Sequence, residues 1–206
     1  MLGKEAFDGI AAGYIGRLDE LLRQVDRDAW FRAHTRLGAA RDAGQTIYLA
    51  GNGGSAATAT HWANDLGKAT KRSGRAPIRV MSLSDNTSWF TALANDEGYE
   101  AVFAGQLENF ARPGDVLVVI SASGNSPNLI RAVEMARRLG VVSIGLLGFD
   151  GGRLRTLVDD MVLVPSESGA YELVEDAHMV LCHVLTRSLV ADLAAPASLL
   201  EKKILV

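Results

Sequence analysis

A single cysteine, Cys182, stands among the 206 residues. That excludes a disulfide framework and a cysteine-rich zinc fold, and it fits a reducing, cytoplasmic compartment. Net charge is also scarce: 21 basic against 24 acidic side chains leave −3. The balance is too small and of the wrong sign for a nucleic-acid binder held by phosphate contacts. No apolar run approaches the roughly 18–20 residues of a membrane helix, and no N-terminal signal pattern is present. With 48% hydrophobic and 22% charged residues, the composition is that of one soluble globular domain with a large core. Glycine is in excess. Its 21 residues are about a tenth of the chain, against a usual level of about 7%.

The first 44 residues read as two helices. Phe7, Ile10, Tyr14, Leu18, Leu21 and Val25 form one apolar stripe and Trp30, Ala33, Leu37 and Ala40 a second, ending near Gly44. The stripes suit packing on a core, contact with another subunit, or both. From Thr46 the pattern becomes strands and helices in alternation. TIYLA, PIRVMSL, DVLVVIS, VVSIGLL and DMVLVP are runs of Val, Ile and Leu without strict alternation. They imply strands buried on both faces, hence an α/β domain with a parallel sheet between helices. Helices are expected over 55–68, 99–111, 127–139 and about 170–193, with Pro127 suited to a first helical turn. Residues 196–206 read as a short amphipathic tail. No linker appears, so 1–206 reads as one domain, with 1–44 as N-terminal helices and 45–195 as the α/β core.

The glycines gather where strands hand over to helices. TIYLA runs into GNGGS, DVLVVI into SASGNS, and VVSIGLL into GFDGG. In a parallel sheet these turns lie at the carboxyl edge, where ligands bind. Gly51, Gly53 and Gly54 let the backbone come close to a ligand, with Asn52 and Ser55 beside them. Ser121, Ser123 and Ser126 surround Gly124 and Asn125. Two such loops leading into helix N-termini point to an anion. GNGGSA fits the dinucleotide fingerprint, but the acidic candidate, Asp85, comes 29 residues after Ala56, later than the usual ~20. The Walker pattern is absent. A phosphate monoester held by hydroxyls and amides accounts for both loops.

Two helices carry the titratable groups. His61 and Asp65, four apart, share a face, as two ligands of one metal or a base with its partner would. Glu175, Asp176, His178 and His183 stand on the later helix, while His34 reads as a surface residue. On an ideal helix Asp176 is nearly in line with His183, whereas Glu175 lies about 80° off. Such groups can move protons: a carboxylate can take one, and an imidazole with a near-neutral pKa can give or accept one. A metal ion such as zinc at this site would act as a Lewis acid, and with one cysteine its ligands would be histidine and carboxylate. Cys182 reads as packing. Lys68 is a candidate cation near the site, and Arg72 and Arg75 read as solvated.

GNGGS…HWANDL and SASGNSPN, followed by GFDGG and EDAHMVLCH, resemble the sugar isomerase (SIS) domain proteins. Among them they resemble the phosphoheptose isomerases, which convert sedoheptulose 7-phosphate to glycero-manno-heptose 7-phosphate for heptose synthesis. The resemblance spans essentially the whole chain. It implies a five-stranded parallel sheet with flavodoxin-like layering, and a homotetramer with active sites between subunits. Asn52, Gly53, Gly54, Ser55, Ser121, Ser123 and Ser126 match positions that hold the substrate, the serines chiefly its phosphate. Asn95 and Asp96 match a pair near the sugar. His61, Asp65, Glu175 and His183 match the zinc ligands, with Asp65 and His183 also as catalytic acid and base. Two positions depart: Asp65 stands where the family usually has Glu, and Glu175 where it usually has Gln. Matching thus selects Glu175 where bare geometry selects Asp176, and His178 reads either as a supporting neighbour or as a helix-face histidine with no ligand role. The family's usual arginine falls on Ala69. A non-catalytic relative, a tetramer binding the replication initiator protein, is the alternative; it has no need of the histidine–carboxylate set.

Overall fold

Helix α1 (Lys4–Gln24) leads into α2 (Arg27–Asp42), and the alternating part of the chain follows. Its strands are β1 (Thr46–Gly51), β2 (Arg79–Ser82), β3 (Val116–Ser121), β4 (Val142–Gly148) and β5 (Asp160–Val164). The helices between and after them are α3 (Gly54–Ala69), α4 (Thr87–Asp96), α5 (Ala104–Phe110), α6 (Pro127–Arg138) and α7 (Tyr171–Ala194), with short 3₁₀ turns at Tyr99–Ala101 and Arg153–Thr156. The computed structural model describes residues 1–71 and 76–194. Arg72, Arg75 and the 196–206 tail lie outside them. Among the described residues no helix is long and apolar enough to cross a membrane.

All strand pairs are parallel, in the order β2-β1-β3-β4-β5. The expected five-stranded α/β sheet is what forms. Side chains alternate between its faces. Ile47, Leu49, Val118, Ile120 and Leu146 join Trp62, Leu66, Leu181 and Leu185 under α2, α3 and α7. Tyr48, Ala50, Leu117, Val119 and Leu147 join Phe103, Leu107, Leu129 and Val133 under α5 and α6. The central strands β1 and β3 are buried almost throughout. β2 is an edge strand with Arg79 and Met81 exposed, so less of PIRVMSL pairs than expected.

Three expectations need correction. Helix α4 was not anticipated; Asn86 starts it by accepting the Trp89 N–H with its side chain, 3.1 Å. The helix expected over 99–111 is a 3₁₀ turn followed by the short α5. His34 is not a surface residue. Its side chain is 14% exposed between α2 and α7, with Nε2 3.0 Å from Asp192 Oδ2 and Nδ1 2.9 Å from Ser188 Oγ. The α1 stripe divides: Tyr14, Leu18 and Leu21 are half-buried and Val25 is buried, but Phe7 and Ile10 remain more than 60% exposed.

Candidate active site

β1 and β3 lie side by side, and the chain leaves them towards opposite edges of the sheet: β1 to β2, β3 to β4. The crevice at their carboxyl ends is therefore the topological switch point, the usual ligand site of such sheets. Both glycine–serine loops open there.

At the end of β1, Gly53 adopts φ 53° and α3 begins at Gly54. Any side chain at Gly54 would run into the Glu175 carboxylate, which packs on this first turn. At the end of β3, the Ser121 hydroxyl oxygen accepts the Gly124 N–H, 3.0 Å, and that of Ser123 accepts the Asn125 N–H, 3.3 Å. Because a hydroxyl has one donor and two acceptor positions, both serines keep an O–H to offer a ligand. Ser126 starts α6 without a capping bond from its side chain, which leaves its hydroxyl available too. Ser55, in the first turn of α3, is buried.

The loops are stitched together by amides. Asn52 Nδ2 donates to Asn128 Oδ1, 3.0 Å, and Asn128 Nδ2 donates back to Asn52 Oδ1, 2.8 Å. The Tyr99 hydroxyl also donates to Asn52 Oδ1, 2.9 Å. On the other side, Arg153 N–H donates to Asn125 Oδ1, 3.0 Å, and Leu154 N–H to the Gly124 carbonyl, 2.9 Å. Asn128 and Tyr99 were not anticipated as site residues. The last letter of SASGNSPN was the available signal for Asn128; nothing local marks Tyr99. Asn95 and Asp96 end α4, bonded to each other at 2.7 Å and exposed.

Further along, α3 packs on α7, aligned by the buried bond from Trp62 Nε1 to Thr186 Oγ1, 3.0 Å. This pin lies beside His61 and one turn beyond His183, and it brings three expected residues together. His61 Nε2 and His183 Nε2 are 3.1 Å apart, and Asp65 Oδ2 is 3.2 Å from the first and 3.5 Å from the second. Donors held 2.0–2.2 Å from a tetrahedral zinc ion stand about 3.3–3.5 Å apart. The triangle therefore has the size and donor chemistry of three metal ligands. Its side chains are half to three-quarters buried and face open space.

Glu175 is not in that triangle; it lies at the start of α3. Asp176, which bare helical geometry favoured, faces α1, where the Tyr14 hydroxyl donates to Oδ2 at 2.6 Å. Removal from water, and then the Asp176 bond, push the Tyr14 pKa up to about 12. Lys68 is exposed and borders a small cavity with Asp65 and Lys71. Cys182 is fully buried, and burial raises its pKa, so the thiol stays protonated and packs.

His178 does not reach the triangle. It is fully buried, and neither ring nitrogen has a bonding partner among the described residues. Burial pushes its pKa down from 6.5 to about 4, opposed in part by the nearby Leu147 main chain. The folded protein keeps this ring neutral where the unfolded chain protonates it. Stability is therefore full above pH 6.5 and falls as pH drops towards 4, by up to about 3 kcal/mol. Urea midpoints at pH 7 and pH 4.5 should separate more for the wild type than for His178→Gln; equal separations would contradict this.

A family model described as SIS domain matches residues 13–148. The phosphoheptose isomerase of Chlorobaculum parvum is 39% identical over 173 residues, 84% of this chain and 82% of that one. The structure of a phosphoheptose isomerase from Neisseria gonorrhoeae superposes with a TM-score of 0.82 at 30% identity, covering 91% of this chain and 98% of that one. One from Francisella tularensis gives 0.81 at 25% identity, covering 93% and 100%.

Proposed function

The chain belongs to the SIS-domain family and, within it, to the phosphoheptose isomerases, and from that premise we propose that it converts sedoheptulose 7-phosphate to D-glycero-D-manno-heptose 7-phosphate through an enediol. The observation that carries the proposal is the pairing of the two hydroxyl-bearing loops with the His61–Asp65–His183 triangle. His61 lies six residues beyond Ser55 on α3, about 9 Å of helical rise. That span suits a long sugar phosphate whose carbonyl lies at the end opposite its phosphate.

Ser55, Ser121, Ser123 and Ser126 hold the phosphate with Asn52 and the backbone at Gly53 and Gly54, while Asn95, Asp96 and Glu175 meet the sugar hydroxyls. Asp65 takes the proton from C1. The C–H electrons form the C1–C2 double bond, and His183 gives a proton to the C2 oxygen. The reverse transfers then deliver a proton to C2 and remove one from the C1 oxygen, leaving the aldose. A zinc ion held by His61, Asp65 and His183 would replace His183 in polarising the carbonyl, as a Lewis acid.

Assembly as a homotetramer with sites at subunit interfaces is supported by the uncovered apolar half of α1, where Phe7, Ile10 and Ile15 are each over 60% exposed. The proposed substrate and the lone buried thiol support a cytoplasmic location. Incubation with sedoheptulose 7-phosphate should yield the aldose by carbon NMR, slowed at least about tenfold by chelation and restored by zinc. Absence of aldose both with and without added zinc would overturn the proposal.

A further inference from the structure

We infer that Asn128 is a positioning residue that fixes which end of the Asn52 amide faces the ligand, with Tyr99 completing the clamp. The inference rests on the reading of the two loops as a phosphate cradle. Asn128 is 1% exposed, so its amide must find partners within the fold. It finds them across the crevice and on its own helix: its Oδ1 accepts from Asn52 Nδ2, 3.0 Å, and from the neighbouring Leu129 N–H, 2.9 Å, while its Nδ2 donates to Asn52 Oδ1, 2.8 Å.

The consequence lies in the hydrogen-bond inventory of Asn52. An amide oxygen has two lone pairs and an amide nitrogen two hydrogens. Asn128 Nδ2 and the Tyr99 hydroxyl fill both lone pairs of Asn52 Oδ1. Asn128 Oδ1 takes one hydrogen of Asn52 Nδ2. One N–H is left, so Asn52 presents a donor and no acceptor. A flipped Asn52 would set oxygen against Asn128 Oδ1 and nitrogen against Asn128 Nδ2. The clamp forbids that flip, so the β1 loop offers a donor to an anionic oxygen and not a repelling carbonyl. The clamp also ties the start of α3 to the start of α6, holding both halves of the cradle in register.

The test is a double-mutant cycle in the full-length protein, read as inorganic phosphate affinity by phosphorus NMR titration. Asn128→Ala should weaken phosphate about tenfold, the loss expected for one hydrogen bond to a charged group. Asn128→Asp, nearly isosteric, should weaken it at least as much, and Tyr99→Phe about threefold. In an Asn52→Ala background the Asn128→Ala and Tyr99→Phe effects should shrink to less than twofold, because the amide they orient is gone, while Asn128→Asp keeps the part of its loss that comes from its added charge. With sugar phosphate, the single variants should raise KM while leaving kcat within about twofold. Equal losses in both backgrounds, or unchanged phosphate affinity in the single variants, would overturn the inference. Should Asn128→Ala fail to fold, Tyr99→Phe carries the same comparison. A wild-type protein that binds no phosphate removes the cradle and this inference together. Phosphate coupling as described, without turnover of sedoheptulose 7-phosphate, would contradict the proposed substrate and leave the inference standing.

Discussion

Asp65→Asn is expected to lower kcat/KM by about 10³-fold, within the range for loss of a general acid–base group. The amide has almost the same shape, so the packing of α3 against α7 around the Trp62–Thr186 bond should persist. What is lost is the one carboxylate, among the described residues, within 3.5 Å of both His61 Nε2 and His183 Nε2. An amide at this place neither removes a carbon-bound proton nor supplies the anionic ligand. The loss should fall on kcat, with KM changed less than about threefold, as for a group acting mainly in the transition state. Asp65→Glu, which restores the residue that phosphoheptose isomerases usually carry, should stay within about tenfold of wild type. Steady-state kinetics beside thermal melts would check both variants; near-normal turnover of Asp65→Asn would remove Asp65 from the chemistry.

Gly124→Ala should produce the largest loss of stability at the phosphate loops, about 3–5 kcal/mol. Gly124 has φ 64°, and a methyl group on it would be driven into the Gly151 carbonyl oxygen. That oxygen belongs to the β4 loop, which the Gly124 carbonyl itself anchors through Leu154 N–H. Relief requires the two loops to part, so phosphate affinity should fall with stability. In a chain of this length the melting temperature should drop by about 10 °C. Gly53→Ala is the control. Gly53 also has positive φ, 53°, with ψ −123°, but open space around it, so only the conformational penalty applies, about 1–3 kcal/mol. Equal destabilisation of the two variants would show that the loop contact does not constrain Gly124.

The strands were legible because a central parallel strand is apolar on both faces, as TIYLA and DVLVVIS are. β2 was over-read because it lies at the edge, where Arg79 and Met81 meet solvent and pairing stops early. α4 was hidden by its β-branched and aromatic residues, which favour a helix only once Asn86 caps it and its aromatic rings pack: Trp89 on Phe110, Phe90 on Phe103. Spacing within α3 placed His61 and Asp65 on one face, but it carried no information on the distance to His183. That distance depends on how α3 lies along α7, a tertiary fact. Helical angles favoured Asp176 over Glu175 without that tertiary information. Glu175 faces α3 and Asp176 faces α1, so neither joins the triangle. Asn128 and Tyr99 escaped notice because their partner, Asn52, is 76 and 47 residues away.

The central claim is that one site in this fold removes a proton from carbon while holding a sugar phosphate. Proton NMR of sedoheptulose 7-phosphate incubated with the zinc-loaded protein in deuterium oxide tests it most directly. Deuterium should enter C2 of the aldose and C1 of recovered ketose with wild-type protein, and Asp65→Asn should reduce the rate by about 10³-fold. Aldose formed without any solvent deuterium, or exchange as fast in Asp65→Asn as in wild type, would contradict the account.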